Sequence, residues 1–176
     1  MHALHYWAVE AEDREEAFGI VDTQLDDDGS NQVDWSDWHV VGGGRWNPEG
    51  DSYTANDSQI ISYAETPEKF METIKTIRQW RTDEMNRCLS EIKTDKLVSD
   101  MGDYISQLGI PNPEQRFNMN NYYIKNSVEL LTDNYSPNSS FYDLTEHTAH
   151  LGYLLERLDN AATSAIQYLV PIDFHF

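Results

Sequence analysis

The chain holds one cysteine, Cys88, so no disulfide can close within it. Cys88 falls in a helical pattern, where a small buried or half-buried side chain is the expected outcome. Positive charge is scarce too. Lys and Arg number 12 against 31 Asp and Glu, for a net charge of −19. A nucleic-acid-binding face needs clustered cations for the phosphates, so direct nucleic-acid binding is not expected. The one Arg cluster, Arg78, Arg81 and Arg87, lies among Asp83, Glu84 and Glu91. No apolar run approaches the roughly 18 residues of a membrane span. The opening Met-His-Ala-Leu-His lacks a basic region followed by an apolar stretch, so no secretory signal and a cytoplasmic location are expected.

What is present suits a folded chain. The 176 residues are 39% hydrophobic and 12% aromatic, enough for a core and unlike a disordered chain. The acidity has three readings. Dense carboxylates with few Lys and more Asp than Glu suit a protein kept soluble in high salt. They also suit a surface that binds a basic partner, including one that imitates a nucleic-acid backbone. Ordinary intracellular acidity is the third reading.

Pattern along the chain predicts an α+β fold. Residues 3–10 read as a strand rich in aromatics. Asp13 and Glu16 have capping-box spacing, and Ala17, Phe18, Val21 and Leu25 follow on one helical face. Asp26 to Ser30 reads as an acidic turn without the ligand spacing of a calcium loop. Residues 35–41 and 59–63 read as strands, with a turn and polar loop between. Thr66-Pro67 opens a long helix over 66–93, which either packs on the sheet or serves as a partner-binding arm. A second helix carries Leu97, Met101, Tyr104, Ile105 and Leu108. A third carries Phe117, Asn121, Ile124, Val128 and Leu131. Asp143 and Glu146 match a capping box ahead of Leu144, His147, Leu151, Leu154, Leu155 and Leu158. From Ile166 to Phe176 apolar residues alternate as in a strand, and Pro171 favours an edge position or a bulge there. The expectation is one α+β domain over 1–176, with 66–133 as a helical insertion. Its small antiparallel or mixed sheet includes both terminal strands, and the helices pack on one face.

The densest chemistry lies in Asp34-Trp35-Ser36-Asp37-Trp38-His39-Val40-Val41-Gly42-Gly43-Gly44-Arg45-Trp46. Gly42, Gly43 and Gly44 permit backbone angles closed to other residues. Their N–H groups can form an anion nest, Arg45 can add a fork of donors, and Trp38 or Trp46 can stack a ring. The segment lacks the spacing of a Walker loop or a dinucleotide fingerprint. The alternative is a structural corner with Arg45 paired to a carboxylate. Asp173 and His175 alternate along the last strand and are the candidate acid–base pair. His147 and His150 can share a helix face as metal ligands, although a hydrogen-bonded core histidine is the commoner outcome on an apolar face. No cofactor is expected, no metal is required, and no catalytic signature is complete.

Two motifs carry a resemblance. Asp37-Trp38-His39-Val40-Val41-Gly42-Gly43-Gly44-Arg45-Trp46 and Val170-Pro171-Ile172-Asp173-Phe174-His175-Phe176 resemble segments in a group of small uncharacterised phage and prophage proteins. Those proteins open with a strand, carry Asp-Trp-aromatic-x-Ile-Gly-Gly-Arg-Trp, and end in a strand holding an Asp and a His. Here His39 stands where an aromatic is usual, and one Gly is extra. The resemblance spans the two ends of the sheet and not the helices. It implies a viral or mobile-element accessory protein, and with the acidity a virus of a halophilic, haloarchaeal-type host. The expected function is non-catalytic: binding a protein partner or inhibiting a host factor. The alternative is a nucleotide- or phosphate-binding protein or enzyme using the Gly42–Trp46 loop.

Overall fold

The computed structural model describes residues 2–26, 33–48, 56–92 and 119–176. The second helix expected over 94–108, the acidic turn after Asp26 and the Pro113–Phe117 stretch lie outside these residues or mostly so.

Two long strands form the centre of the fold. β1 (His2–Glu10) and β5 (Gln167–His175) pair antiparallel along their whole length, from His2 opposite His175 to Glu10 opposite Gln167. β4 (Phe141–Asp143) adds to β1 in parallel. On the far side of β5 two short strands share one flank. β2 (Trp38–Val41) pairs with residues 172–175, and β3 (Ile61–Ser62) with Tyr168 and Leu169. The sheet is therefore mixed, contains both terminal strands, and is α+β with its helices.

β5 is an interior strand, which corrects the edge position expected from Pro171. The Tyr6 N–H donates to the Ser140 carbonyl on the β4 side (3.0 Å), so the backbone groups of its partner Pro171 face the other flank. The Pro171 carbonyl there accepts the Gly42 N–H (2.8 Å). Its missing donor falls in the gap between β2 and β3, where no ladder bond is lost.

Helices cover both faces, not one. On one face α1 (Arg14–Asp26) sets Ala17, Val21 and Leu25 against Trp7, Val9, Val170 and Ile172. The Glu16 N–H donates to Asp13 Oδ1 (2.9 Å), the cap that the spacing predicted. On the other face α2 (Pro67–Glu91) lays Phe70, Ile74 and Ile77 over Ala8 and Leu169, beside Leu154 of α4 (Leu151–Leu158). α2 is thus packed on the sheet rather than free, and it also packs along α3 (Met119–Leu131). Arg81 ties it down. Its guanidinium donates to the carbonyls of Ala149 and Leu130 and to Asp133 (2.6 Å). A one-turn helix, α5 (Ala161–Ser164), capped by the Asn160 side chain, leads into β5.

The helix expected from the Asp143–Glu146 box is also corrected. Asp143 belongs to β4, and the helix starts only at Leu151. His147, at φ 52, takes the left-handed conformation, which stops a helix from running through it.

One polar chain is buried against the α1 face. The Trp7 indole N–H donates to the Tyr135 hydroxyl (2.8 Å), Tyr135 donates to His5 Nδ1 (2.8 Å), and His5 Nε2–H donates to the Pro137 carbonyl (3.1 Å). This order satisfies every atom only if His5 is neutral. Burial accordingly lowers its pKa to about 4. Above pH ~6.5 His5 is neutral in both folded and unfolded chains, and nothing is lost. As pH falls from there to about 4, the unfolded chain takes a proton that the folded one refuses. His5 should therefore remove about 3 kcal/mol of stability over that window, with no further loss below it. Denaturant unfolding of wild type and His5→Gln at pH 7 and pH 4 checks this. Wild type should lose that much more than the variant, and parallel losses would clear His5.

Candidate functional site

The three glycines close a corner at the end of β2. Gly42, Gly43 and Gly44 have φ of 95°, 88° and 47°, all in the left-handed region. The chain then makes a single 3-10 turn, Gly44–Trp46, with the Trp46 N–H on the Gly43 carbonyl (2.8 Å). Asn47 anchors the exit, its amide donating to Asn56 Oδ1 (3.1 Å) and Ser58 (3.3 Å). The loop folds back over β5 because Gly44 carries no Cβ. An added one would stand 2.7 Å from Asp173 Cβ and 2.8 Å from Asp173 Oδ2.

One of the loop's donors goes to an anion of the chain itself. The Arg45 backbone N–H donates to Asp173 Oδ2 (3.1 Å), and Gly42 spends its N–H on Pro171. The Arg45 side chain behaves differently. It is exposed and holds no carboxylate among the described residues, unlike Arg14, Arg81, Arg87, Lys125 and Arg157.

Register brings the rest together. On one sheet face β1 and β5 align His2 with His175 and Leu4 with Asp173, while β2 aligns Trp38 with His175. Asp173 is fully buried, and its Oδ1 accepts from His2 Nδ1 at 2.9 Å. His175 Nδ1 donates to Asp37 Oδ1 at 2.6 Å. That bond holds the Asp37 carboxyl below its ordinary range. The two imidazoles meet edge to face at 4.8 Å. Trp38 stacks on His175 at 5.1 Å and takes the His2 edge at 5.2 Å. Each histidine thus has Nδ1 fixed on a carboxylate and Nε2 without a partner among the described residues. Such a carboxylate sets both tautomer and ring orientation, leaving Nε2 to accept or donate a proton. The His2 side chain is 17% exposed and that of His175 32%.

Of the sequence-predicted residues, Trp38, Arg45, Asp173 and His175 gather at this end of the sheet. Gly42, Gly43 and Gly44 shape it, and Trp46 stands 51% exposed on its rim. His147 and His150 lie in a separate segment with separate partners. His147 Nδ1 is 3.4 Å from the Tyr142 hydroxyl, and His150 Nε2 is 3.9 Å from Asp133. Among the described residues no group of three or more His, Cys, Asp or Glu can hold a metal ion. His2 and the role of Asp37 were missed. The available signal was phase: His2 alternates with Leu4 and Tyr6, as Asp173 does with His175.

Among the described residues no helix is long and apolar enough to cross a membrane. Compared with protein-family models, with curated proteins and with solved structures, the chain matches none.

Proposed function

We propose that this chain is an acid–base enzyme acting on a small anionic ester, with His2 and His175 as the proton-transferring groups. One observation carries the reading: two histidines stand 4.8 Å apart, each oriented through Nδ1 by an aspartate. In such a pair one Nε2 takes a proton from the attacking water while the other gives one to the leaving oxygen. Asp173 and Asp37 position the rings and stabilise each imidazolium as it forms. Arg45, exposed and without a carboxylate among the described residues, supplies the attraction for an anion.

Turnover of p-nitrophenyl phosphate, bis-p-nitrophenyl phosphate and p-nitrophenyl acetate tests this. His2→Asn and His175→Asn should each lower the rate by about 10²- to 10⁴-fold while circular dichroism stays unchanged. Equal rates in wild type and the double variant would end the proposal.

The net charge of −19 favours a second reading. In it the chain is a non-catalytic accessory protein of a virus or mobile element, working in the host cytoplasm by binding a basic protein partner. The motif resemblance supports the same reading. Partner capture from host lysate should then weaken with salt and survive both histidine substitutions.

A further inference from the structure

We infer that a cleft beside the histidine pair is the specificity site, and that it takes the phosphoryl group of a phosphomonoester whose flat apolar part rests on Trp46. This inference rests on the acid–base reading and adds the substrate class. The floor of the cleft is Leu4, Tyr6 and Pro171, on the same sheet face as His2 and Asp173. Leu4 is the register partner of Asp173, so the floor continues directly from the histidine pair. Gly43 and Trp46 of the glycine corner form one wall, and Lys69 and Thr73, one turn apart on α2, form the other. Gln59 and Ile61 close the end.

Size limits the occupant. The cleft offers about 90 Å³. That is the volume of roughly three waters, against ~300 Å³ or more for a pocket that encloses a drug-sized ligand. It can seat one phosphoryl-sized group and not a whole nucleotide.

Polarity selects the group. The Lys69 ammonium is a pure donor and holds no carboxylate among the described residues, in a chain with 31 acidic side chains. Glu65, four residues earlier in the turn ahead of α2, is taken by Arg14. The Gln59 carboxamide likewise has no hydrogen-bond partner among the described residues. The Thr73 hydroxyl already donates to the Lys69 carbonyl (2.9 Å), which leaves Lys69, Gln59, the Tyr6 hydroxyl and the Trp46 indole N–H as donors without an acceptor among the described residues. Donors without acceptors call for an anion. Trp46, 51% exposed at the mouth, offers a ring face to whatever the anion is attached to. That face separates a phosphorylated ring from free phosphate.

Binding by calorimetry or NMR at pH 7 tests the inference, with phenyl phosphate, inorganic phosphate and benzoate as probes. Phenyl phosphate should bind about tenfold more tightly than inorganic phosphate, an advantage of the size expected of one aromatic contact. Lys69→Gln, an exposed substitution, should weaken both phosphates about tenfold or more. Trp46→Ala should erase the advantage of phenyl phosphate and leave inorganic phosphate unchanged. Benzoate should bind more weakly than phenyl phosphate. Equal binding of phenyl phosphate by wild type and Lys69→Gln, or tighter binding of benzoate, overturns the inference. His2→Asn and His175→Asn separate it from the acid–base reading. If they keep binding and no variant turns over an ester, that reading fails alone. If esters are turned over but Lys69→Gln leaves KM unchanged, the cleft fails alone.

Discussion

Gly42→Ala should destabilise the protein by at least about 3 kcal/mol, the sum of left-handed strain and an overpacked contact. The new Cβ would stand 1.9 Å from the Asn56 carbonyl oxygen, a backbone atom that cannot swing aside. Gly43→Ala is the matched control. Its φ of 88° carries similar strain, but its Cβ would meet Pro171 Cβ at 3.5 Å, Pro171 Cγ at 3.7 Å and Asn47 N at 3.9 Å, all ordinary contacts. It should cost about 1–2 kcal/mol. Thermal melts give the comparison, with roughly 2–4 °C per kcal/mol at this chain length. Equal shifts for the two variants would mean that the Gly42–Asn56 approach is not a fixed part of the corner.

Arg157→Ala should cost about 3–5 kcal/mol, because it strands a buried carboxylate. Arg157 reaches both oxygens of Asp143 (2.9 and 2.7 Å) and also Glu10 (3.2 Å). Asp143 is fully buried between β1 and α4. Burial pushes its carboxyl upward, and Arg157 works against that shift. Removing the guanidinium leaves only the Thr145 and Glu146 N–H groups to oppose desolvation. An Asp143→Asn and Arg157→Met double variant removes the charge while the Asn oxygen still accepts the Thr145 and Glu146 N–H groups (3.1 and 3.3 Å). It should be more stable in urea than Arg157→Ala alone. A double variant no more stable than the single one would refute the stranded-charge account.

The same residues explain how much of the fold was legible. β1, α1, α2 and β5 were read from alternation, periodicity and caps, and each stands within a few residues of its expected bounds. β4 was not, although the local chemistry behind the misreading is real. Asp143 does accept the N–H groups two and three residues on, as a cap would. The left-handed turn at His147 and the Asp143–Thr148 bridge keep a helix from following, and nothing local in the sequence marks them. Burial on both faces of β5 was hidden for a related reason. Gln167 and Asp173 look like a solvent-facing set, yet both are fully buried. Arg157, Glu10 and the Thr163 carbonyl serve Gln167, and His2 with the Arg45 N–H serves Asp173. Of those partners, Glu10, His2 and Arg45 come from distant segments. The site was half legible in the same way. Trp38, Arg45, Asp173 and His175 were visible as motifs, whereas His2 gains meaning only from strand pairing.

That pairing joins residues at opposite ends of the sequence, with His2 and Asp173 171 positions apart. Closing so long a loop is entropically costly before any contact compensates. Until β5 is available, β1 has only the three-residue β4 as a strand partner. Folding dominated by such distant contacts falls in the slow, millisecond-to-second range for its size. The histidine pair forms only once that ladder has closed. No fragment of the chain, and no intermediate lacking the central ladder, can contain it.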